Sequence, residues 1–560
     1  MTNKEIARIL KSTSAMIDLT GGNPHRSRAM SNAGRTIERL EERVPDLVAS
    51  NTLTSIRGIG NGLAAQIKEI IETGTFEARE ELLGAIPVGV LDVMRVKGLG
   101  AKKVRALWQK LNIISLSELE HAAASGKLAT LDGFGEKTAA NILQNIQLLK
   151  TYSNKRRYAD VITFLDPFLD AIRLHEPITA VFYTGDLRRK METIDWMDIV
   201  VVSEASSEVM DILTTVFEPA EPFILTDNRI EGTLSNGLPL RVYLCSPNNA
   251  GTVLWQTTGS ASHCSSFIDT YGMPGEVSDE SSIFELAGLS LIPPELREGT
   301  TELDHAKQQT LPTLITNEDL KGTLHNHSTY SDGAHTLKEM ADRALSMGLS
   351  YFGICDHSRS LVIANGLSIE RVANQQEEIS QLNAAYKNSS ATPFKIFSGI
   401  ESDILADGSL DYPDEILASF DFIVASVHTR MNMTEDEATE RIIKAVENKY
   451  TSILGHPTGR ILLVREGYPI NYTRVLDACA ANGVAIELNA NPYRLDLDWR
   501  WIQEATSRGI LISINPDAHA LDGLYDTQWG IEVARKGWLS ADQCLNAMPL
   551  DAFESWLTSH

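Results

Sequence analysis

The sequence predicts a multidomain α+β protein with a helical front, a mixed middle and a long segment of alternating strands and helices. Three observations support that prediction. Residues 1–150 place apolar side chains at helical spacing, residues 151–298 add strand-like runs, and residues 321–560 repeat a strand–helix pattern. The chain has 560 residues, which is more than one compact domain normally holds.

Composition excludes several classes of protein. Hydrophobic residues make up 43% and charged residues 22%, as in ordinary globular proteins. No apolar run reaches the roughly 20 residues that a membrane-spanning helix needs, and the polar start MTNKEIARIL is not a signal peptide. The five scattered cysteines predict neither a disulfide framework nor a thiolate zinc site. We therefore expect a cytoplasmic monomer with no membrane partner.

The net charge of −24 is distributed unevenly along the chain. Residues 1–150 carry 20 basic and 16 acidic side chains, whereas the remainder carries 30 basic and 58 acidic ones. Such asymmetry permits polyanion binding by the front and metal binding by the rest, although ordinary surface charge accounts for the same numbers.

The front is predicted to be helical in Ile6–Ile17, Thr36–Val48 and Leu63–Ile71, and it contains one glycine pattern three times. The copies are IRGIG at 56–60, VKGLG at 96–100 and LDGFG at 131–135. Each precedes an amphipathic helix start, which is the sequence form of a helix-hairpin-helix. Glycine lets the turn approach a phosphate, and amides at the helix N-terminus donate to it. We expect DNA-backbone binding, with structural turns as the alternative, at Gly58, Gly60, Gly98, Gly100, Gly133 and Gly135.

Strand-like runs begin after residue 150. In the middle they are Ala180–Tyr183, Asp198–Val202, Phe223–Leu225 and Leu240–Leu244, with a helix at Glu208–Val216. Residues 299–320 are polar and are predicted to be a linker. Six further strands are predicted at Tyr351–Cys355, Lys395–Ile400, Phe422–Val427, Ser452–Leu454, Val484–Leu488 and Leu511–Asn515. The predicted helices of this last region are Leu337–Ser346, Ser368–Lys387, Thr434–Glu447 and Trp501–Arg508. Repeated βα units favour a barrel-like parallel sheet, with its site at the C-terminal strand ends.

Histidines and carboxylates occur at successive ends of these strands. His325 and His327 lie two apart, so on a strand both imidazoles face one side. The complete set of nine is His325, His327, Asp332, His357, Glu401, His428, His456, Asp517 and His519. These ligand types suit Zn²⁺ or Mn²⁺ better than Ca²⁺, and nine ligands suffice for a cluster of two or three divalent ions. The sequence therefore predicts a catalytic metal centre.

The motifs around these residues resemble the PHP (polymerase and histidinol phosphatase) family of metallophosphoesterases. They read LHNHSTYSDG, ICDHS, GIESDILADGSLDYPDE, ASVH, GHPTGR and ISINPDAH, within about 240 residues. The resemblance implies a distorted (β/α)₇ barrel with a trinuclear site formed by those nine residues. Arg460, after GHPTG, is a candidate phosphate contact, with a structural salt bridge as the open alternative.

The rest of the chain resembles bacterial family X DNA polymerases, which join a DNA polymerase beta-like core to a C-terminal PHP domain. The segments that carry this resemblance are NPHRSRAMSNAGRTIERL, the first and third hairpins, and IFELAGLSLIPPELREG. It implies helix-hairpin-helix domains at 1–80 and 81–150, a nucleotidyltransferase-like palm at 151–245 and a thumb-like domain at 246–298. The linker at 299–320 and the PHP domain at 321–560 follow.

The polymerase pattern is broken at its chemical positions. The resemblance implies an Asp-x-Asp strand, a third carboxylate and a serine in the triphosphate turn, but the corresponding residues are Trp196, Pro239 and Asp186. Asp198 is retained, with Arg188 and Arg189 in a degenerate nucleotide site, so Mg²⁺ is not expected there. A bulge that brings Asp195 to Asp198 would rescue the site. The lyase lysine of DNA polymerase beta relatives corresponds to Gln66.

Four functions are compatible with these residues. The first is a DNA-repair phosphodiesterase in the nucleoid, a 3′–5′ exonuclease with 3′-phosphatase or abasic-site nicking activity, which acts on gapped, nicked or 3′-ended DNA. The second is a working gap-filling polymerase with an attached exonuclease, and the third is a non-catalytic scaffold at DNA ends. A small-molecule phosphatase is the fourth. Trp196 and Pro239 argue against the second, the nine ligands against the third, and the three hairpins against the fourth.

Overall fold

The computed structural model describes residues 1–38, 40, 42–152, 154–389 and 393–559, without the side chains of residues 4, 206 and 389. The chain forms two compact units, Met1–Ser153 and Asn154–His560. The finer boundaries expected from the sequence, at 80/81, 245/246 and 298/299, stay predictions. Among the described residues, no helix combines the length and the apolar character needed to span a membrane.

The first unit is helical, as predicted. Its helices are α1 Asn3–Thr20, α2 Pro24–Glu38, α3 Val44–Ala49, α4 Asn61–Thr73, α5 Glu77–Ala85, α6 Val88–Met94, α7 Ala101–Leu111, α8 Leu116–Ala124 and α9 Glu136–Tyr152. One expectation was wrong, because the run Thr36–Val48 is not continuous: α2 ends at Glu38 and α3 starts at Val44. Pro45 lies in the first turn of α3, where proline favours a new helix start. Residues 39 and 41 of that run lie outside the described residues.

The middle of the chain is a mixed α/β region. Its elements are β1 Arg156–Arg157, α10 Tyr158–Arg173, β2 Ala180–Tyr183, α11 Gly185–Arg188, β3 Thr193–Ile194, β4 Met197–Val202, α12 Ser206–Phe217, β5 Ile224–Thr226, β6 Arg229–Thr233, β7 Pro239–Cys245, α13 Ala250–Thr258, α14 Ala261–Tyr271 and α15 Ser281–Leu286. A five-stranded sheet of described residues has the order β2-β4-β7-β6-β5. The four predicted strands are present within about one residue at each end, whereas β6 was missed because its sequence, RIEGT, lacks a run of β-branched residues.

The polar segment 299–320 is more ordered than a linker. It contains helix α16, Glu302–Gln308. The Glu302 side chain is buried, and its Oε1 lies 2.7 Å from His263 Nδ1. Farther on, Ile315 is fully buried and its N–H donates to the carbonyl of Leu539 at 2.9 Å. The segment therefore packs against both the middle region and the C-terminal region, and its polar composition reflects caps and ion pairs.

The C-terminal region is a parallel barrel, which confirms the predicted fold class. Its strands are β8 Gly322–Thr323, β9 Tyr351–Ile354, β10 Lys395–Asp403, β11 Phe422–Ser426, β12 Ile453–Leu454, β13 Ala485–Asn489 and β14 Ile512–Asn515. These seven described strands pair in sequence order, all in parallel. A parallel bridge between Asn326 and Ala518 nearly closes the sheet beyond its edge strands. The sequence identified six strands and missed only β8, which has two residues.

Helices surround this sheet and one plugs it. They are α17 Leu337–Ser346, α18 Ile369–Ser389, α19 Asp414–Leu417, α20 Glu435–Val446, α21 Tyr472–Asn482, α22 Ile502–Ser507, α23 Thr527–Lys536 and α24 Leu550–Ser559. In the barrel interior, Phe553 of α24 stacks on Tyr351 with ring centroids 4.7 Å apart and meets Phe397 edge-on at 5.0 Å. These rings form an apolar core inside the barrel. The histidines and carboxylates singled out by the sequence lie instead at the C-terminal ends of the strands.

Candidate metal centre

The structure brings together the nine residues that the sequence singles out. They lie near or after the ends of β8, β9, β10, β11, β12 and β14. The described histidines and carboxylates form three groups with ligand atoms within 4.8 Å of one another. One group is His327, Asp332, His357 and His519; the second is His325, His327 and Asp517; the third is His357, Glu401 and His428. His327 and His357 each belong to two groups, as expected of a connected cluster rather than separate sites.

Glu401 lies at the centre of this arrangement. Its Oε1 is 2.9 Å from His456 Nε2, 3.1 Å from His428 Nε2 and 3.4 Å from His325 Nε2. Its Oε2 is 2.7 Å from His357 Nδ1. His456, which lies outside the three groups, therefore joins the cluster through Glu401. A carboxylate surrounded by several imidazoles is a donor group that would hold a divalent metal ion together with them.

Asp517 holds the opposite side of the cluster. Its Oδ1 is 3.1 Å from His327 Nε2 and 3.7 Å from His325 Nε2. Its backbone has a φ of 53°, in the left-handed region that few residues adopt. Such a conformation is retained where surrounding structure fixes it, and here Asn489 donates to Asp517 Oδ2 at 3.1 Å.

Most of the nine side chains are removed from solvent. His325 and His327 are fully buried and Glu401 is 1% exposed, whereas the side chains of Asp332 and His519 are 37% and 40% exposed. Asp332 and His519 therefore mark the opening of the site. Their atoms Oδ1 and Nε2 are 3.4 Å apart.

Burial and charge shift the pKa values of these groups in opposite directions. Burial lowers the pKa of His325, but the carboxylates of Glu487, Glu401 and Asp517 outweigh it and raise that pKa well above its usual value. Burial, followed by the neighbouring imidazoles of His519 and His357, lowers the pKa of His327 to about 3. A neutral His327 is the form that donates a lone pair to a metal.

The atoms that face one another inside the cluster fit a cation. His325 Nε2, His327 Nε2 and Glu401 Oε2 are buried and lack a well-formed hydrogen bond among the described residues. Buried polar atoms normally find a partner, so atoms left without one call for an explanation. Imidazole nitrogens and carboxylate oxygens are donors for borderline divalent ions such as Zn²⁺ and Mn²⁺. The donor set therefore fits the divalent metal binding expected from the sequence.

Two carboxylates outside the predicted set orient its histidines. Glu487 Oε1 is 2.6 Å from His325 Nδ1, and Asp403 Oδ1 is 2.5 Å from His428 Nδ1. Each fixes which ring nitrogen of its histidine faces the cluster. The sequence reasoning missed both, although Glu487 lies within the predicted strand Val484–Leu488 and Asp403 lies in the quoted motif GIESDILADG. An acidic residue within or at the end of a strand was the available signal.

Arg460 does not serve the cluster in this structure. Its Nη1 donates to Asp498 at 3.0 Å, its Nη2 to Glu192 at 3.2 Å and its Nε to the carbonyl of Arg494 at 3.0 Å. The carbonyl of Leu495 accepts a further bond. These contacts favour the structural salt bridge over the phosphate contact, because a phosphate would have to displace several buried bonds.

A different arginine faces the metal cluster. The Nε atom of Arg494 is 3.6 Å from Asp517 Oδ2, and its Nη1 atom is buried without a hydrogen-bond partner among the described residues. Asn489 donates to the same Asp517 oxygen at 3.1 Å. Arg494 thus has a donor to spare beside the cluster, which Arg460 lacks.

In the polymerase-like region, by contrast, Arg188 and Arg189 are already paired with carboxylates of the protein. Arg188 donates to both oxygens of Glu280, at 2.9 and 2.7 Å. Arg189 donates to Glu298 at 2.9 Å and also pairs with Asp186. Paired guanidinium groups are neutralised by buried carboxylates, and a triphosphate would have to compete with these intramolecular bonds.

Arg241 lies next to Asp198, the aspartate retained from the expected polymerase site. Arg241 Nη1 is 3.3 Å from Asp198 Oδ1, and the guanidinium carbon lies 4.4 Å from the centre of the Trp196 ring. Burial raises the pKa of Asp198 to about 7, although Arg241 acts in the opposite direction. Asp195 has another partner, Lys155, at 3.8 Å, and it is half exposed. Pro239 starts β7, a position that proline tolerates because no ladder bond is lost.

The hairpin glycines separate into two kinds. Gly58, Gly98 and Gly133 have φ values of 94°, 86° and 82°, so the turn itself requires glycine there. Gly60 and Gly100 have φ values of −85° and −77°, which any residue adopts. A Cβ atom built on Gly60, Gly100 or Gly135 would meet nothing within 4 Å. The second glycine of each pair is therefore not required by the packing of the protein itself.

Comparisons with known proteins match these regions. Residues 1–76 match the model of a helix-hairpin-helix domain, residues 90–147 that of a SAM-like helix-hairpin-helix tandem, and residues 323–491 that of the PHP domain. The chain is 32% identical over 576 residues to the "DNA polymerase/3'-5' exonuclease PolX" of Bacillus subtilis (strain 168), with 100% of this chain and 99% of the relative covered.

Shorter relatives cover the barrel only. A protein named "Probable phosphatase" from Thermoanaerobacter sp. (strain X514) is 26% identical over 234 residues, which is 40% of this chain and 88% of the relative. A "Probable phosphatase" of Edwardsiella ictaluri (strain 93-146) is 25% identical over 236 residues, 40% of this chain and 89% of the relative.

Proposed function

The chain belongs to the PolX family of DNA polymerase/3′–5′ exonucleases, and on that premise we propose that it is a metal-dependent 3′–5′ exonuclease of DNA repair. Its polymerase-like region would hold DNA without synthesising it. The observation that carries this proposal is the convergence of eight histidines and carboxylates into three connected groups, which His456 joins through Glu401. We assign two or three divalent ions, Mn²⁺ or Zn²⁺, to those nine residues.

The residues of the cluster divide the chemistry among them. Bound divalent ions at such a centre polarise a phosphodiester and lower the pKa of a water. Glu401 and Asp517 supply the negative charge that balances the ions, and Glu487 and Asp403 hold the imidazoles of His325 and His428 in one tautomer. The exposed pair Asp332 and His519 lies where a phosphate enters.

Arg494 is better placed than Arg460 to contact that phosphate. Its Nε lies 3.6 Å from Asp517 Oδ2 while its Nη1 has no hydrogen-bond partner among the described residues, and guanidinium groups bind phosphate oxygens through paired donors. A cation at this point offsets the charge that accumulates on the phosphate during attack. Arg494 therefore takes the role that the sequence reasoning gave to Arg460.

The hairpins supply the DNA contacts. The open second glycines, Gly60 and Gly100, precede the N-termini of α4 and α7. Backbone amides at such helix ends donate to phosphates, and the absence of a Cβ lets the DNA strand approach the glycine turn closely. This mode reads no sequence and needs no large basic excess, so it suits an enzyme that processes DNA ends at gaps and nicks.

Loss of DNA synthesis follows from the state of the palm. Phosphoryl transfer by two metal ions needs several carboxylates, whereas Asp198 pairs with Arg241 and Asp195 with Lys155. Trp196 stacks on the Arg241 guanidinium, so a protein cation occupies the surroundings of the remaining acid. These contacts support the assignment of a degenerate site and argue against the rescue by a bulge.

One experiment separates the candidate functions. The protein is incubated with a primed, gapped, end-labelled DNA, Mn²⁺ and dNTPs, and the primer length is followed on a gel. Shortening supports the exonuclease, extension supports the gap-filling polymerase, and neither supports the DNA-end scaffold. The same reaction with His428→Ala removes degradation that could hide synthesis. We expect shortening by the unaltered protein and no extension by either form in Mg²⁺ or Mn²⁺.

A further inference from the structure

Two aliphatic side chains are almost fully exposed beside the metal centre. Val362 is 82% and Ile363 is 95% exposed, on the short 3₁₀ helix Val362–Ala364. Single exposed apolar residues are common on protein surfaces. Two adjacent ones on one turn at a functional opening call for an explanation. We refer to residues 361–365 as the apolar tip.

The base of the apolar tip is built into the strands that carry the metal ligands. The Ser358 N–H donates to the carbonyl of Glu401 at 3.0 Å, and the Leu367 N–H donates to the carbonyl of His357 at 2.9 Å. Ser360 Oγ donates at 2.6 Å to Asp403, the carboxylate that also orients His428. The tip is therefore anchored on both sides to residues of the cluster.

The far side of the tip is anchored to the opening of the centre. Asn365 Nδ2 donates to the carbonyl of Ser331 at 3.0 Å, directly before Asp332. Arg371 in turn donates to the Asn365 carbonyl at 2.9 Å. Ser331 is buried and Arg371 is half-buried, so hydrogen bonds to both residues hold this side of the tip in place. The tip consequently stands next to the point where Asp332 and His519 reach solvent.

A paired DNA end cannot place its last phosphodiester among buried ligands without separating. His325, His327 and Glu401 are at most 1% exposed, so the strand must enter as a single nucleotide chain. Enzymes that act on extruded nucleotides meet the cost of unstacking, about a few kcal/mol, and DNA-binding proteins that unstack base steps insert apolar wedges between them. Two exposed aliphatic side chains on a fixed turn beside the opening fit that role.

We propose that Val362 and Ile363 form a wedge that packs against the last base pair of a DNA end and separates the 3′-terminal nucleotide for hydrolysis. This inference rests on the exonuclease function proposed above. It makes the apolar tip a determinant of which ends are processed, because a terminus that is already unpaired would not need it.

The test compares three substrates with the full-length protein in Mn²⁺. They are a DNA with a fully paired 3′ end, the same DNA with a mismatched 3′ end, and the 4-nitrophenyl ester of thymidine 5′-monophosphate. The variant is the double substitution Val362→Ser with Ile363→Ser. The control is Leu174→Ser, because Leu174 is 87% exposed in the turn between α10 and β2, at the end of the five-stranded sheet away from Asp198.

We expect the wedge variant to excise from the paired end about tenfold more slowly, with the mismatched end and the ester processed at unchanged rates. The control variant should leave all three rates unchanged, and Ile363→Phe should keep paired-end excision because an aromatic ring also packs on a base. An unchanged ratio of paired to mismatched excision would overturn the wedge. Equal loss on all three substrates would also overturn it, by assigning the tip to support of the metal centre.

Two further outcomes separate this inference from others. If the unaltered protein hydrolyses neither DNA nor the ester, the proposed exonuclease fails and the wedge fails with it, which differs from a flat ratio in an active protein. If the double substitution instead converts a dimer to a monomer in solution while paired-end excision persists, the tip contacts a second copy of the chain and not DNA.

Discussion

Replacing Glu487 by glutamine should weaken the metal centre although Glu487 is not among its nine proposed ligands. Glu487 is fully buried, in the middle of β13. Its Oε1 accepts from His325 Nδ1 at 2.6 Å and from Asn515 Nδ2 at 3.2 Å, and its Oε2 accepts from the His456 N–H at 2.6 Å. Three donors thus converge on two carboxylate oxygens.

An amide cannot satisfy those three donors. Glutamine offers one oxygen and one NH₂ group, so one end of it must face a donor. If the NH₂ faces His325, the ring must present Nδ1 as an acceptor, which places its proton on Nε2 and removes the lone pair directed at the cluster. If it faces the His456 N–H, a buried donor is left unpaired at a cost of about 1–3 kcal/mol.

The expected size of the effect follows from these two choices. Loss of an outer partner of a metal ligand typically lowers metal affinity about 10- to 100-fold, which corresponds to about 1.4–2.7 kcal/mol. Hydrolysis of the 4-nitrophenyl ester is measured over a Mn²⁺ series and a Zn²⁺ series, with bound metal measured by equilibrium dialysis. We expect the midpoint metal concentration for Glu487→Gln to rise by that factor, while the rate at saturating metal recovers substantially.

The control is Glu504→Gln, on the barrel surface, where Glu504 pairs with Arg508 and is 47% exposed. It should leave the metal midpoint unchanged. Asp403→Asn should shift the midpoint as Glu487→Gln does, since Asp403 orients His428 in the same way. Identical midpoints for Glu487→Gln and the unaltered protein would refute the reasoning, because metal binding by His325 would then not depend on the Glu487 carboxylate.

Three other predictions concern the separate parts of the chain. His327→Ala should abolish hydrolysis while DNA affinity, measured by fluorescence anisotropy, persists; loss of binding with metal content unchanged would contradict this division. Gly100→Val should lower DNA affinity several-fold without lowering the melting temperature, since its φ is −77° and nothing lies within 4 Å of an added Cβ; equal affinities over a salt series would make that turn purely structural. Asp198, whose pKa is raised to about 7 from 3.8, contributes stability below pH 4 that is lost as the pH rises through 7. In denaturant unfolding at pH 5 and 8, Asp198→Asn should reduce this loss of unfolding free energy, which is at most about 4 kcal/mol. An equal loss in the variant and in the unaltered protein would show that Asp198 titrates normally.

Local sequence determined the elements and the residues of the centre. Alternation of strands and helices predicted six of the barrel strands because each run has its own period and length. The nine residues could be chosen without the fold because parallel strands end on one face of a barrel, so side chains placed after successive strands must meet there. The glycine pattern similarly predicted the hairpins, since a positive φ at Gly58, Gly98 and Gly133 is a local requirement.

Tertiary structure alone decided which polar groups pair. Glu487 contacts His325 across 162 positions of the chain and Glu192 contacts Arg460 across 268, and no local period predicts such a pairing. The same holds for Arg241, which reaches Asp198 through the parallel pairing of β4 and β7. Local sequence fixes backbone conformation and which face is apolar, whereas the partner of a buried charge depends on how distant elements pack. That packing decided that Arg460 braces two regions, that Arg494 faces the cluster, and that the segment 299–320 is ordered.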